Sequence, residues 1–156
     1  MKKIIKNGQG EYIEKKSKFI AHIFNVESEQ QAAAIIAEVK KKYWDARHNC
    51  YAYILGNKGE IQRFSDDGEP SGTAGKPILE VLSGNECSNC LCIVTRYFGG
   101  VLLGTGGLIR AYTSASKEAL DDCLTGELVE GVHAYLDADY NYVGKIQHLC
   151  IQDDIT

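Results

Sequence analysis

The sequence predicts an α+β domain, and three observations carry that expectation. Apolar residues recur with period two in some stretches and at three-and-four spacing in others, in the order β-β-α-β-β-α-β-α. Two glycine-rich loops, 65–77 and 99–107, each deliver the chain to an amphipathic stretch. With 156 residues, 44% hydrophobic and 24% charged, the chain is long enough to bury one core. The same figures exclude disordered, collagen-like and coiled-coil chains, because glycine is only 16, proline only 2, and no heptad runs through.

Glu11 to Lys16 and Phe19 to Phe24 alternate, with Phe19, Ala21 and Ile23 on one face and His22 on the other, as half-buried strands require. Ser28 then caps a helix whose apolar stripe is Ala32, Ile35, Ile36, Val39 and Tyr43; Lys40 to Lys42 in its last turn suit the helix dipole. Asn49 to Leu55 and Ile61 to Phe64 form a hairpin across Gly56-Asn57-Lys58-Gly59. The breaker-rich stretch Ser65 to Pro77 leads to a short helix with Pro77 in its first turn and Gly84 at its end. Leu91 to Phe98, almost continuously apolar and β-branched, reads as a central strand buried on both faces. Gly99-Gly100 ends it, and a last helix follows with inner stripe Leu108, Ala111, Tyr112, Ala115 and Ala119 and Thr105 as its cap.

Net charge is −4, but it is unevenly spread. Residues 1–117 hold 16 Lys/Arg against 12 Asp/Glu, whereas 118–156 hold Lys145 alone against nine acids. Charge therefore sets a boundary near residue 120, and the turn at Gly126 refines it to a first unit of 1–125 and a second of 126–156. The second offers one strand (Leu128, Val132, Ala134, Leu136) and the start of one helix (Val143, Ile146, Leu149, Cys150), too little to bury its own apolar faces. It is expected to pack on the first unit or to be the beginning of a longer domain.

The N-terminal Met1-Lys2-Lys3-Ile4-Ile5-Lys6 has no apolar run behind its lysines, so it is not a secretory signal, and no stretch reaches membrane-spanning length. The six cysteines are then expected as reduced thiols of a cytoplasmic protein. Cys87-Ser88-Asn89-Cys90, with Cys92 beyond, lacks the second pair that a structural zinc site needs, so no metal is expected there. Tyr51, Tyr53, Tyr97, Tyr112 and Trp44 are spaced for packing more than for base stacking.

The two glycine loops carry the chemistry. Free N–H groups and the positive dipole end point out of a loop that opens a helix, so each is a candidate anion cradle. The residues so placed are Gly72, Gly75 and Lys76 in the first loop, and Arg96, Gly99, Gly100, Gly106, Gly107 and Arg110 in the second, with Arg47 and Arg63 able to extend the positive face. Gly72 to Lys76 and Arg96 to Arg110 are expected to converge on one electropositive hollow. Neither common nucleotide motif is present: a Walker A loop would need Gly at 70 and Ser or Thr at 77, where Pro70 and Pro77 stand, and the dinucleotide fingerprint would need Gly where Ile109 stands. Ser71 fails the nucleophile elbow. Asp66, Asp67 and Glu69 with His48 form an alternative set for acid–base or divalent-metal work, against the plainer reading of turn formers and caps. No catalytic residue and no cofactor is assigned.

At these residues the sequence resembles the IMPACT family, whose bacterial members are the YigZ-like proteins. The matching stretches are Ser17-Lys18-Phe19-Ile20-Ala21, Arg47-His48-Asn49-Cys50-Tyr51-Ala52-Tyr53, Asp66 through Pro77, Arg96-Tyr97-Phe98-Gly99-Gly100 and Leu103 through Tyr112, together covering nearly all of 10–120. The resemblance implies a two-layer sandwich of a four-stranded sheet and two main helices, like the second domain of a small-subunit ribosomal protein, followed by a ferredoxin-like domain of which 126–156 would be the start. It also implies a link to translational control, through the eukaryotic members' connection with a starvation-sensing kinase. The family supplies no agreed active site. Three functions stay open at this stage: a translation-linked regulator binding RNA or the ribosome, an enzyme acting on a phosphorylated small molecule, and a protein-interaction module.

Overall fold

The computed structural model describes all 156 residues. Its centre is a five-stranded antiparallel sheet in the order β2-β3-β7-β4-β5. The strands are β2 (Gly8–Glu14), β3 (Ser17–Asn25), β4 (His48–Leu55), β5 (Ile61–Ser65) and β7 (Cys90–Tyr97). The apolar run at 91–98 is the middle strand, as its lack of polar alternation predicts, and seven of its eight residues are buried. The sheet thus has one strand more than the family resemblance implied.

Period two divides this sheet into two faces. Phe19, Ala21 and Ile23 of β3, Cys50, Ala52 and Ile54 of β4, and Cys90, Cys92 and Val94 of β7 face α2 (Gly75–Gly84) and α3 (Gly104–Asp122). Burial pushes the Cys92 thiol up to about 12, so it is an apolar filler there. On the opposite face Leu55, Leu91 and Ile93 pack under α1 (Glu29–Lys42), which contributes Ala32 and Val39. The sheet is therefore covered on both faces, a third layer beyond the expected two. Ser28 caps α1 as predicted, its hydroxyl accepting from the Gln31 N–H at 3.1 Å.

A second, three-stranded sheet was not legible beforehand. It sets β1 (Lys2–Lys6) between β6 (Cys87–Ser88), parallel, and β8 (Leu124–Glu127), antiparallel. Ile4 of β1 is wholly buried in the main core, so the N-terminal lysine-rich stretch is a structural strand. Residues 128–139, expected to hold a strand, form none; after them come a short 3-10 turn and α4 (Val143–Gln152), the expected second-unit helix. Neither carries a buried residue. No helix is long and apolar enough to cross a membrane.

Candidate functional site

The site forms where β7 leaves the core. Its inward-facing row runs Cys90, Cys92, Val94 and then Arg96, so alternation alone directs a guanidinium into the layer between sheet and helices. Arg96 is 6% exposed. A buried charge needs a partner, and Glu69 supplies it: Arg96 Nη1 donates to Glu69 Oε1 at 2.6 Å. The Tyr112 hydroxyl of α3 donates to the same oxygen at 2.7 Å, and Cys50 Sγ lies 3.4 Å from the Tyr112 oxygen. Burial, with Cys50 and Glu69 beside it, pushes the Tyr112 hydroxyl far above the usual phenol range; burial likewise raises the Cys50 thiol. Both stay protonated at neutral pH.

His48 opens β4 directly opposite Arg96 on β7. Its Nδ1 sits 2.7 Å from the Asp67 carbonyl oxygen, which can only accept, so Nδ1 carries a proton. That Nε2 lies 3.8 Å from Glu69 Oε1. Arg96 lies beside two aromatic rings, its guanidinium carbon 5.6 Å from the Phe19 centroid and 5.7 Å from that of Phe98; the Arg47 guanidinium lies over Phe98 at 5.2 Å.

Above this floor is a cavity of about 430 Å³. His48 and Arg96 line it from the sheet, Arg47 from the bend before β4, Gly68, Glu69 and Pro70 from the first loop, and Phe98, Leu102, Gly104 and Thr105 from the second. The two loops do converge, but the first contributes Gly68 to Pro70 and not Gly72 to Lys76. The reason is Asp66. Its carboxylate accepts from the N–H groups of Gly72 at 3.0 Å, Ala74 at 3.2 Å and Gly75 at 2.8 Å, so the chain fills that cradle with its own anion.

The second cradle is free. The helix starts one residue before the expected cap Thr105, with Leu103 at the N-cap position and no side chain satisfying the first-turn donors. Gly104 and Thr105 line the cavity at this turn, which no side chain caps. Gly106 and Gly107 continue this turn, and the Arg110 guanidinium folds back beside it, 3.2 Å from where a Cβ on Gly106 would sit.

The remaining positions serve elsewhere. Gly99 donates its N–H to Ser17 Oγ at 3.1 Å and lies against the Lys16 backbone with no room for a Cβ; Gly100 holds φ +88° in the same turn. Arg63 lies on the far side of the sheet, 3.8 Å from Glu29 of α1, and Lys76 is exposed on α2. Asp67 accepts from the Asn49 N–H at 2.7 Å and pairs with Lys40 at 3.3 Å. Asp66, Asp67 and Glu69 are thus engaged in three different directions, and no group of three or more His, Cys, Asp or Glu side chains is arranged to hold a metal ion.

The stretches that build this cavity are also those by which the chain matches known proteins. The model of the Impact N-terminal domain matches residues 15–120. The chain belongs to the IMPACT family. It is 46% identical over 143 residues to IMPACT family member YvyE of Bacillus subtilis, covering 90% of this chain and 65% of that protein. It is 39% identical over 142 residues to IMPACT family member YigZ of Escherichia coli, covering 90% of this chain and 70% of that one. Among solved structures, the crystal structure of a hypothetical protein superposes with a TM-score of 0.77 at 34% identity, over 98% of this chain and 75% of that one. The chain thus spans about two thirds of the length of these relatives. Within the matched IMPACT segment lies every residue that lines the cavity.

Sequence reasoning missed Phe98, Leu102 and Pro70 as cavity walls, and the hydroxyl role of Tyr112. One signal was available: Arg96 shares the inward parity of Cys92 and Val94, which demands a buried counter-charge.

Proposed function

We propose that this protein is a cytoplasmic, translation-linked regulator that binds RNA, and that the cavity beside the α3 N-terminus is where a phosphate of that RNA is held. Family membership supports the translational setting. The observation that carries the site is the uncapped first turn of α3 opening onto the same hollow as Arg96 and Arg47. Phe98, 39% exposed, holds the Arg47 guanidinium over its ring at the cavity rim, where that charge can meet a phosphate. His48 Nε2, on a ring oriented by the Asp67 carbonyl, can meet a ribose 2′-hydroxyl, which both donates and accepts and which DNA lacks.

A second reading, an enzyme or binder of a phosphorylated small molecule, is favoured by one observation: about 430 Å³ lies within the range of small-ligand pockets. Fluorescence anisotropy with a short single-stranded RNA and the matching DNA separates the two, run beside a thermal-shift screen of nucleotides and sugar phosphates. The RNA reading expects binding that prefers RNA to DNA and weakens in Arg47→Ala. Absence of RNA binding at low salt, with a raised melting temperature from one small phosphate, would replace it by the second reading.

A further inference from the structure

We propose that two copies of this chain associate by exchanging acidic C-terminal arms, residues 128–156. Each arm lays the apolar stripe of α4 on the end of the other copy's sheet where β7 leaves the core. The inference goes beyond the reading above and does not rest on it.

The arm is the first observation. It buries no residue against its own chain, although Val132, Tyr135, Leu136, Tyr140 and Ile151 are all exposed. Single apolar residues on a surface are ordinary, whereas a run of them on a segment with no core of its own marks a surface that a partner covers. Within the arm, α4 carries Val143, Ile146, Leu149 and Cys150 at three-and-four spacing, one stripe along a helix about 15 Å long. Asp137 and Asp139 precede this stripe, and Asp153 and Asp154 follow it, so the apolar surface lies between two pairs of negative charge. The arm's acids face Lys145 as their only Lys or Arg, hence two arms repel each other.

A surface of the opposite pattern is the second. Strand β3 starts at Ser17 and β4 at His48, both at the end of β7, where Lys18 pairs with Tyr97 and His48 with Arg96. This register brings Lys15 and Lys16 of the β2–β3 turn, Arg47 and the loop from Phe98 to Gly104 to one end of the sheet. The loop reads Phe-Gly-Gly-Val-Leu-Leu-Gly, without one polar side chain, and its Leu102 is 82% exposed. It is pinned by the bond from Gly99 to Ser17 Oγ. Because β7 lies between β3 and β4, the lysines and Arg47 flank the loop about 10 Å apart. Glu14 and Asp45 also sit here, accepting from the Tyr12 and Tyr97 hydroxyls, but Lys15, Lys16, Arg47 and Arg110 outnumber them.

The two patterns fit. An apolar helix bounded by anions at both ends meets an apolar loop bounded by cations on both sides, and the mismatch in spacing is within reach of lysine and arginine side chains. Residues 128–139, which form neither helix nor strand, span up to about 40 Å when extended, enough for two arms to cross and close the pair.

Sedimentation velocity on the full chain, from low to high micromolar concentration, tests this. The expected result is a monomer with a free arm at the dilute end and a dimer at the concentrated end. The dimer is expected to be weaker in about 1 M salt, where the screening length is about 3 Å, than in about 0.1 M, where it is about 10 Å. Leu102→Ser and Leu149→Ser change residues exposed in the single chain, so each is expected to weaken the dimer about ten-fold without lowering the melting temperature of the monomer. Lys16→Glu is expected to weaken it too. A monomer at every concentration overturns the proposal, the case of an arm docked on its own chain included. A dimer lost in Leu149→Ser but unchanged in Leu102→Ser and Lys16→Glu means that the arms pair with each other, and it overturns the proposal as well, as does a dimer that none of the three variants weakens.

Discussion

Glu69 determines the geometry of the site residue by residue. It is a carboxylate with its side chain 3% exposed, receiving hydrogen bonds from Arg96 and Tyr112. Removing one partner of a buried pair leaves the other charge uncompensated, so Glu69→Ala is expected to cost about 3–5 kcal/mol in urea denaturation. Combining it with Arg96→Met should recover part of that loss, since the orphaned charge leaves with its partner. A second residue gives a pH test. Burial, with Lys42 nearby, holds the His22 imidazole below its usual range. The unfolded chain therefore binds that proton more readily, and the resulting stability, full above about pH 6.5, is lost as pH falls toward the folded-state value. His22→Gln is expected to flatten the stability profile between about pH 7 and 5. At this scale the sequence was half legible. Alternation along β7 aims Arg96 inward, but Glu69 lies 27 residues away on an irregular loop, and no local pattern pairs them.

At the scale of elements, local chemistry decided what could be foreseen. Ser28, Pro77 and Gly84 mark helix ends through their own backbone preferences, and each stands where the sequence indicated. The α2 N-terminus could not be read that way, because its cap is Asp66, eight or nine residues upstream of the N–H groups of Ala74 and Gly75. That single long-range cap converts the more conspicuous glycine loop into a closed structure and leaves the α3 end as the open one. Strands β1, β6 and β8 escaped notice for a related reason: they are two to five residues long and defined by pairing across the chain, not by periodicity. The contact between β2 and α3 is held close by Gly10, where a Cβ would come within 2.5 Å of the Ala119 nitrogen. Gly10→Ala is expected to push α3 off the sheet and cost about 1–3 kcal/mol, read as a shift in the urea midpoint.

Over the whole molecule, stability is concentrated in residues 1–127. The two core clusters draw every buried member from that range, whereas residues 128–156 bury none. The acid-rich stretch begins at Glu118, but the chain stays in the fold through β8 at Leu124–Glu127, and the strand expected beyond it does not form. Chymotrypsin is expected to cut first around Tyr135 to Tyr142 and to leave a resistant core that ends near Glu127, with an unfolding midpoint within error of the full chain. A large fall in the midpoint would mean that the second unit stabilises the first.

The proposed phosphate site is the open helix end of α3 and not the one Asp66 fills. Backbone amide shifts in a nuclear magnetic resonance titration with a short 5′-phosphorylated RNA test it most directly. The amides of Gly104, Thr105, Gly106 and Gly107 are expected to move with added RNA, while those of Gly72, Ala74 and Gly75 stay in place. Shifts confined to Gly72, Ala74 and Gly75, or to the α1 face of the sheet, would contradict it.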